Sequence, residues 1–281
     1  MKVLIATPTS RRHEYCIDEF LDRVRNLTHP FHLYIVDTTL DKGEYFKSLK
    51  NKIDPETMTV KRYLWNPEQQ NAVQMLADVK AKMRKYFLLN NYSHYFDIAS
   101  DFMLPPDIIE RLIRHDKDCV GCVTHMYHGD FKTPAIWKWR GKEDSGFIDM
   151  KTGLDIYNWY EVKDIHGLQR VYACAVALYK RRVMGCCQFR THPTFIFGED
   201  LWWFTETNDK GFEWWCDFDI RIEHTNTDWL SVPEIKKTGI LLAVGPVNAR
   251  GIVWHDRTGK GSPAVDEQPI PIGDKTDTVK D

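Results

Sequence analysis

The chain has no apolar run long enough to cross a membrane. Its first strand-length run, Val3-Leu-Ile-Ala6, stops at Thr7-Pro8, far short of the roughly 20 residues a span needs. It has no excess of either charge: 38 Lys and Arg meet 40 Asp and Glu, a formal net charge of −2. That balance supplies no field to hold a nucleic acid or an anionic membrane, so neither is expected as the main partner. The seven cysteines are odd in number and lack a scaffold spacing, which fits a reducing compartment and a cytoplasmic protein. Glycine is missing where a phosphate loop needs it. After the first run, Thr7-Pro8-Thr9-Ser10-Arg11-Arg12 holds an Arg pair and no Gly, which makes a nucleotidyltransferase the weaker alternative.

What is present is an ordinary globular composition, 43% hydrophobic and 28% charged over 281 residues, enough for one substantial core. The first hundred residues alternate strand and helix signals. Val3–Ala6, Phe31–Val36, Thr59–Leu64, Tyr95–Ser100 and Cys119–Thr124 read as strands. Between them, 14–26, 45–53, 68–89 and 107–115 carry apolar residues at helical spacing, the last opened by Pro105-Pro106. This rhythm predicts an α/β fold with a Rossmann-like, mainly parallel sheet flanked by helices. Ligands of such sheets bind beyond the carboxyl ends of the strands, which singles out Thr7-Pro8-Thr9, Asp37 and Ser100-Asp101.

The second half is less regular and richer in rings: eight of the ten Trp lie between Trp137 and Trp229. Trp137, Trp139, Trp202 and Trp203 are candidates for a flat-ring binding surface, with burial in the core as the competing reading. Strands are expected at 171–179 and 214–222, and helices at 180–187 and 199–210. One domain is expected over 1–260, with a nucleotide-binding half (1–125), a loop-rich acceptor half (126–260) and a flexible tail (261–281). Cys119, Cys122, His125 and His128 crowd together on one strand, whereas zinc modules place about a dozen residues between their ligand pairs, so zinc is not expected.

Five segments, in order, resemble the GT-A glycosyltransferases, especially the inverting, non-processive family-2-like group. They are Val3–Thr9, Leu33–Asp37, Tyr95–Asp107, Gly198-Glu-Asp200 and Ile222-Glu-His224, spanning about residues 1–230. The resemblance implies transfer of a sugar from a UDP- or GDP-sugar donor to a hydroxyl on a carbohydrate, lipid-linked or other acceptor. It implies Thr7, Pro8, Thr9, Asp37, Arg84, Ser100 and Asp101 as donor contacts, and Asp101 with His224 as ligands of Mn²⁺ or Mg²⁺. It also implies Asp200 as general base with Glu199 beside it. The sequence departs from the family's Asp-x-Asp pattern, since Ala99 stands at the first acidic position.

The chemistry agrees with these residue types. A hard cation on oxygen ligands neutralises a departing diphosphate, and a carboxylate near the acceptor hydroxyl removes its proton. Each residue also has a plainer reading. Asp101 suits a turn before the prolines, and Glu199-Asp200 suits the positive start of a helix. His224 suits an ordinary strand end, and Arg84, amid Lys80, Lys82 and Lys85, suits a solvated helix face. A binding protein without turnover is the remaining alternative.

Overall fold

The computed structural model describes residues 2–128, 131–139, 157, 159–191 and 199–225. The predicted tail and nearly half of the residues of the predicted acceptor half, including Gly198, lie outside the described residues. Among the described residues the strands are β1 (Val3–Thr9), β2 (Phe31–Asp37), β3 (Met58–Arg62), β4 (His94–Asp97), β5 (Phe102–Met103), β6 (Cys119–Val123) and β7 (His125–His128). They continue with β8 (Phe131–Pro134), β9 (Ile136–Trp137), β10 (Leu168–Val171), β11 (Ala173–Cys174), β12 (Ala177–Lys180), β13 (Trp214–Arg221) and β14 (Glu223–His224). The helices are α1 (Ile17–Arg25), α2 (Glu44–Lys52), α3 (Ala72–Leu89), α4 (Ile108–Arg114), α5 (Trp159–Lys163), α6 (Arg181–Cys186) and α7 (Glu199–Asp209). No helix among the described residues is long and apolar enough to cross a membrane.

The main sheet runs β10-β13-β6-β12-β4-β1-β2-β3. The half containing β4, β1, β2 and β3 is wholly parallel. In β1, alternate residues face opposite layers: Val3 and Ile5 join the core under α1, α2 and α4, while Leu4 and Ala6 join the core under α3, α6 and α7. Burial on both faces is what the continuous apolar run requires. The mainly parallel sheet flanked by helices is the α/β architecture expected from the sequence.

Two details differ. Residues 171–179 do not form one strand; the chain breaks after β11, and β12 enters the sheet antiparallel between β4 and β6. That insertion needs Gly121, because a Cβ there would meet the Val176 carbonyl oxygen at 2.1 Å and the Cys174 sulfur at 2.2 Å. Second, α3 starts at Ala72 rather than Glu68. Asn71 caps it, accepting from the Gln74 backbone N–H, while the Gln74 side chain accepts from that of Asn71.

Candidate active site

The carboxyl ends of β1, β2 and β4 share one edge, with Thr9 paired to Asp37 and Ala6 paired to Asp97. Thr7, Pro8 and Thr9, expected in the loop after the first strand, are instead its last residues. Pro8 costs no ladder bond toward β4, because β4 has ended at that level. Asp37 is fully buried; its Oδ1 accepts from the Thr39 N–H at 2.9 Å and its Oδ2 has no partner among the described residues. Burial pushes its carboxyl up, against the two Thr39 hydrogen bonds.

β4 also ends earlier than expected, at Asp97 rather than Ser100. Residues 98–101 turn out of the ladder, and the Ser100 hydroxyl meets the Thr9 hydroxyl at 2.9 Å. Asp97 and Asp101 therefore do not lie on one strand, and the two carboxylates serve separate clusters.

Asp101 is fully buried. β14 pairs antiparallel with β5, setting His224 opposite Phe102, and the Thr225 N–H donates to the Asp101 carbonyl at 2.9 Å. His224 Nε2 then lies 3.0 Å from Asp101 Oδ2. His224 Nδ1 lies 2.6 Å from the carbonyl oxygen of His125. A carbonyl can only accept, so Nδ1 carries the proton, and Nε2 presents a lone pair to a carboxylate unless a cation or second proton intervenes. Burial opposes ionisation of Asp101, yet with a second proton on His224 its hydrogen bond to Oδ2 and the charge of the neighbouring imidazoles outweigh burial and hold the pKa below the ordinary value. His13, from the turn Arg11–His13, brings Nε2 to 3.8 Å of the same oxygen. Burial lowers the His13 pKa and favours its neutral imidazole, the form that ligates metals.

These residues fit a divalent cation. Asp101 Oδ1 is buried without a partner among the described residues, and two neighbouring ligands about 2.1 Å from an octahedral ion stand about 3 Å apart, close to the Nε2–Oδ2 separation. Asp101 and His224 would give such an ion two donors; no group of three or more His, Cys, Asp or Glu set to hold a metal occurs among the described residues. Such a centre would keep open positions for phosphate oxygens.

The second cluster lies on the other side of the β4 end. Lys80, from α3, places Nζ 3.0 Å from Asp97 Oδ2 and 3.1 Å from Glu199 Oε1, both carboxylates almost fully buried. Burial works against the ammonium, but Asp97 and Glu199, with Asp200 adding, keep it protonated well above its ordinary value. Asp200 follows Glu199 at the start of α7 and is only half-buried. Burial, then the Glu199 charge, raise its pKa to about 6, with Lys80 pulling the other way. A carboxylate tuned near neutrality is what a general base needs.

Several expected site residues are elsewhere. Arg84 is turned to the opposite edge of the sheet, where its Nε donates to the Met184 carbonyl at 2.6 Å and ties α3 to α6. This corrects its assignment to donor phosphates. Trp203 is a core residue, stacked on Phe189 at 4.1 Å, and Trp137 is buried against Phe204 at 5.0 Å. Neither offers a face to an acceptor. Trp139 and Trp202 are partly exposed, each with an Arg over its ring, Arg170 at 3.9 Å and Arg190 at 4.4 Å. A cleft of about 670 Å³ opens at Arg190, with Trp65, Gln70, Gln74, Asp78 and Phe189 also in its wall. Phe189 links it to the second cluster, since Lys80 Nζ sits 5.5 Å from its ring centre.

His13, Lys80 and Asp97 were not anticipated. The signal for Lys80 is its place in the stripe Leu76, Lys80, Met83, Phe87, where a lysine interrupts apolar residues at helical spacing.

No family model and no curated protein matches this chain. Among solved structures it is similar to S. aureus TarS 1-349, at a TM-score of 0.48 and 14% identity over 82% of this chain and 62% of that one. The complex of TarS 1-349 with UDP gives a TM-score of 0.47 and 13% identity over 81% and 61%. A longer TarS structure gives 0.48 and 13% over 81% and 37%. The chain thus spans about three fifths of the shorter TarS structures and a smaller part of the longer one.

Proposed function

We propose that the protein is a metal-assisted glycosyltransferase of the GT-A type, taking a sugar from a UDP- or GDP-sugar to an acceptor hydroxyl. The observation that carries this reading is the Asp101–His224 pair, whose Nε2 lone pair and buried carboxylate converge on one point at the sheet's carboxyl edge. Asp101 and His224 would hold Mn²⁺ or Mg²⁺, which would supply charge neutralisation for the departing diphosphate. Thr9, Asp37 and Ser100 line the nucleotide side of that edge. Asp200, ionised above about pH 6, takes the proton from the acceptor hydroxyl. The acceptor oxygen forms the new bond to the anomeric carbon as the bond to the diphosphate oxygen breaks, and the nucleoside diphosphate leaves. Attack opposite the leaving group inverts the anomeric centre. Glu199 is engaged by Lys80 and takes no part as a base. The cleft beside Phe189 and Arg190 receives the acceptor, a carbohydrate or another hydroxyl compound.

Calorimetric titration with UDP and with GDP, each with and without Mn²⁺, tests the reading. Metal-dependent binding of one nucleotide, lost in Asp101→Ala, is the expected result. Failure of both nucleotides to bind in either condition rejects it.

A further inference from the structure

Glu199 and Asp200 are consecutive on a helix, so their side chains leave α7 about 100° apart. One cation fixed on one side of the helix can engage only one of them closely. Lys80 is such a cation. It is itself largely buried, rises from the middle of α3, and is braced by Asp97 at the end of β4 and by the Phe189 ring below. Its 3.1 Å contact goes to Glu199. Asp200 makes no ion pair among the described residues, and its Oδ1 accepts only from the Leu201 N–H at 2.9 Å. Three carboxylates therefore surround a single ammonium, two of them neutralised by contact and the third left over.

We propose that Lys80 is a positioning residue for Asp200: by binding Glu199 and Asp97 together it fixes the start of α7 against β4 and leaves Asp200 as the free carboxylate. This rests on Asp200 being the general base, and it assigns the neighbouring acid a different task. Glu199 is the anchor that Lys80 holds. The charged groups around Asp200 are Glu199 on its own helix, Lys80 on α3, Asp97 on β4 behind Lys80, and Arg190 over the neighbouring Trp202 ring.

A neutral Lys80 substitute should expose Asp200 to uncompensated acid neighbours, and a neutral Glu199 substitute should relieve it. The two changes shift its titration in opposite directions. The measurement is the ¹³C carboxyl titration of Asp200 in the full chain, without donor or acceptor, with the resonance assigned through Asp200→Asn. From a wild-type midpoint at about pH 6, Lys80→Met should raise it and Glu199→Gln should lower it, each by about one pH unit. The double variant should return near the wild-type midpoint, and Lys80→Arg, which keeps the cation, should stay there.

A midpoint unmoved in both single variants overturns the proposal. If Lys80→Met does not fold, Glu199→Gln decides alone, and a midpoint that fails to fall overturns it equally. Because no substrate is present, this outcome is separate from that of the transfer reading. Asp200→Asn retaining full transfer would remove the base while leaving the Lys80 titration result intact.

Discussion

The two acidic clusters at the end of β4 are only four residues apart in sequence, yet they are chemically opposite. Around Asp97 the cation is already present: Lys80 reaches two buried carboxylates at 3.0 and 3.1 Å. Around Asp101 there is a buried carboxylate with an unpartnered oxygen and an imidazole whose protonated nitrogen is committed to the His125 carbonyl. The first cluster is complete without a ligand. On the proposed reading a cation completes the second. A buried acid is thus informative chiefly through what completes it, and among the described residues the two clusters differ in whether that cation is a lysine.

Removing the carboxylate from the incomplete cluster should have the largest effect. Asp101→Ala is expected to lower sugar transfer by about 10⁴-fold, the equivalent of the several kcal/mol that a cation contributes to a developing phosphate charge. Transfer rates with and without Mn²⁺ check this. A variant that keeps metal-stimulated transfer would erase the contrast between the clusters. Next comes Asp200→Asn, expected to lower transfer on the order of 10³-fold with nucleotide affinity unchanged. In the wild type, the rate should fall as pH drops through about 6, where Asp200 takes up its proton. An acid limb well below pH 5 would assign the base elsewhere.

A packing change sharpens the comparison from the other side. Trp203 stacks on Phe189, which lies beneath Lys80, and belongs to a different core layer from Ile98 and Phe102 beside Asp101. Trp203→Ala should destabilise the fold by about 3–5 kcal/mol, read as a lower Tm. The protein that remains folded should still bind nucleotide with metal. Loss of metal-dependent binding at temperatures where the variant is folded would show that the clusters are mechanically coupled. Trp202→Ala, one residue away and partly exposed, should change Tm far less.

The adjacent pair Trp202 and Trp203 also shows where sequence reading stops. Composition marks the second half as rich in rings, but which ring faces inward depends on how α7 is rotated against α3 and the sheet. The parallel half of the sheet was legible because β1 and β2 are short continuous apolar runs and the helices that follow them keep a period of 3.6. The antiparallel insertion of β12 was not, since it depends on a close approach at Gly121 that no local pattern announces. Asp101 could be picked out by its place after a strand, whereas His224 and Asp200 come from the family resemblance rather than from local pattern. His13 and Lys80 could not be assigned that way, because each reaches its acid from an element distant in sequence, and Lys82 and Lys85 gave Lys80 the look of a solvated face.

The smallest effect separates Asp101 from Asp200 by the sign of their pH dependence. Asp101 is held below the ordinary carboxylate value of 3.8 in the folded protein. It therefore contributes stability that is present above pH 3.8 and is lost as pH falls through its depressed value. Asp200 is raised to about 6, so its contribution is present below the ordinary value and is lost as pH rises through about 6. Replacing each by Asn should consequently act in opposite directions. Asp200→Asn should raise Tm at pH 7, with the gain vanishing below about pH 4. Asp101→Asn should lower Tm at pH 7 and at pH 5, with the loss shrinking as the wild-type carboxyl protonates. Thermal melts of both variants and the wild type across pH 3–7 decide this. A common pH dependence in all three would mean that the two carboxylates occupy equivalent environments, against the difference in their partners.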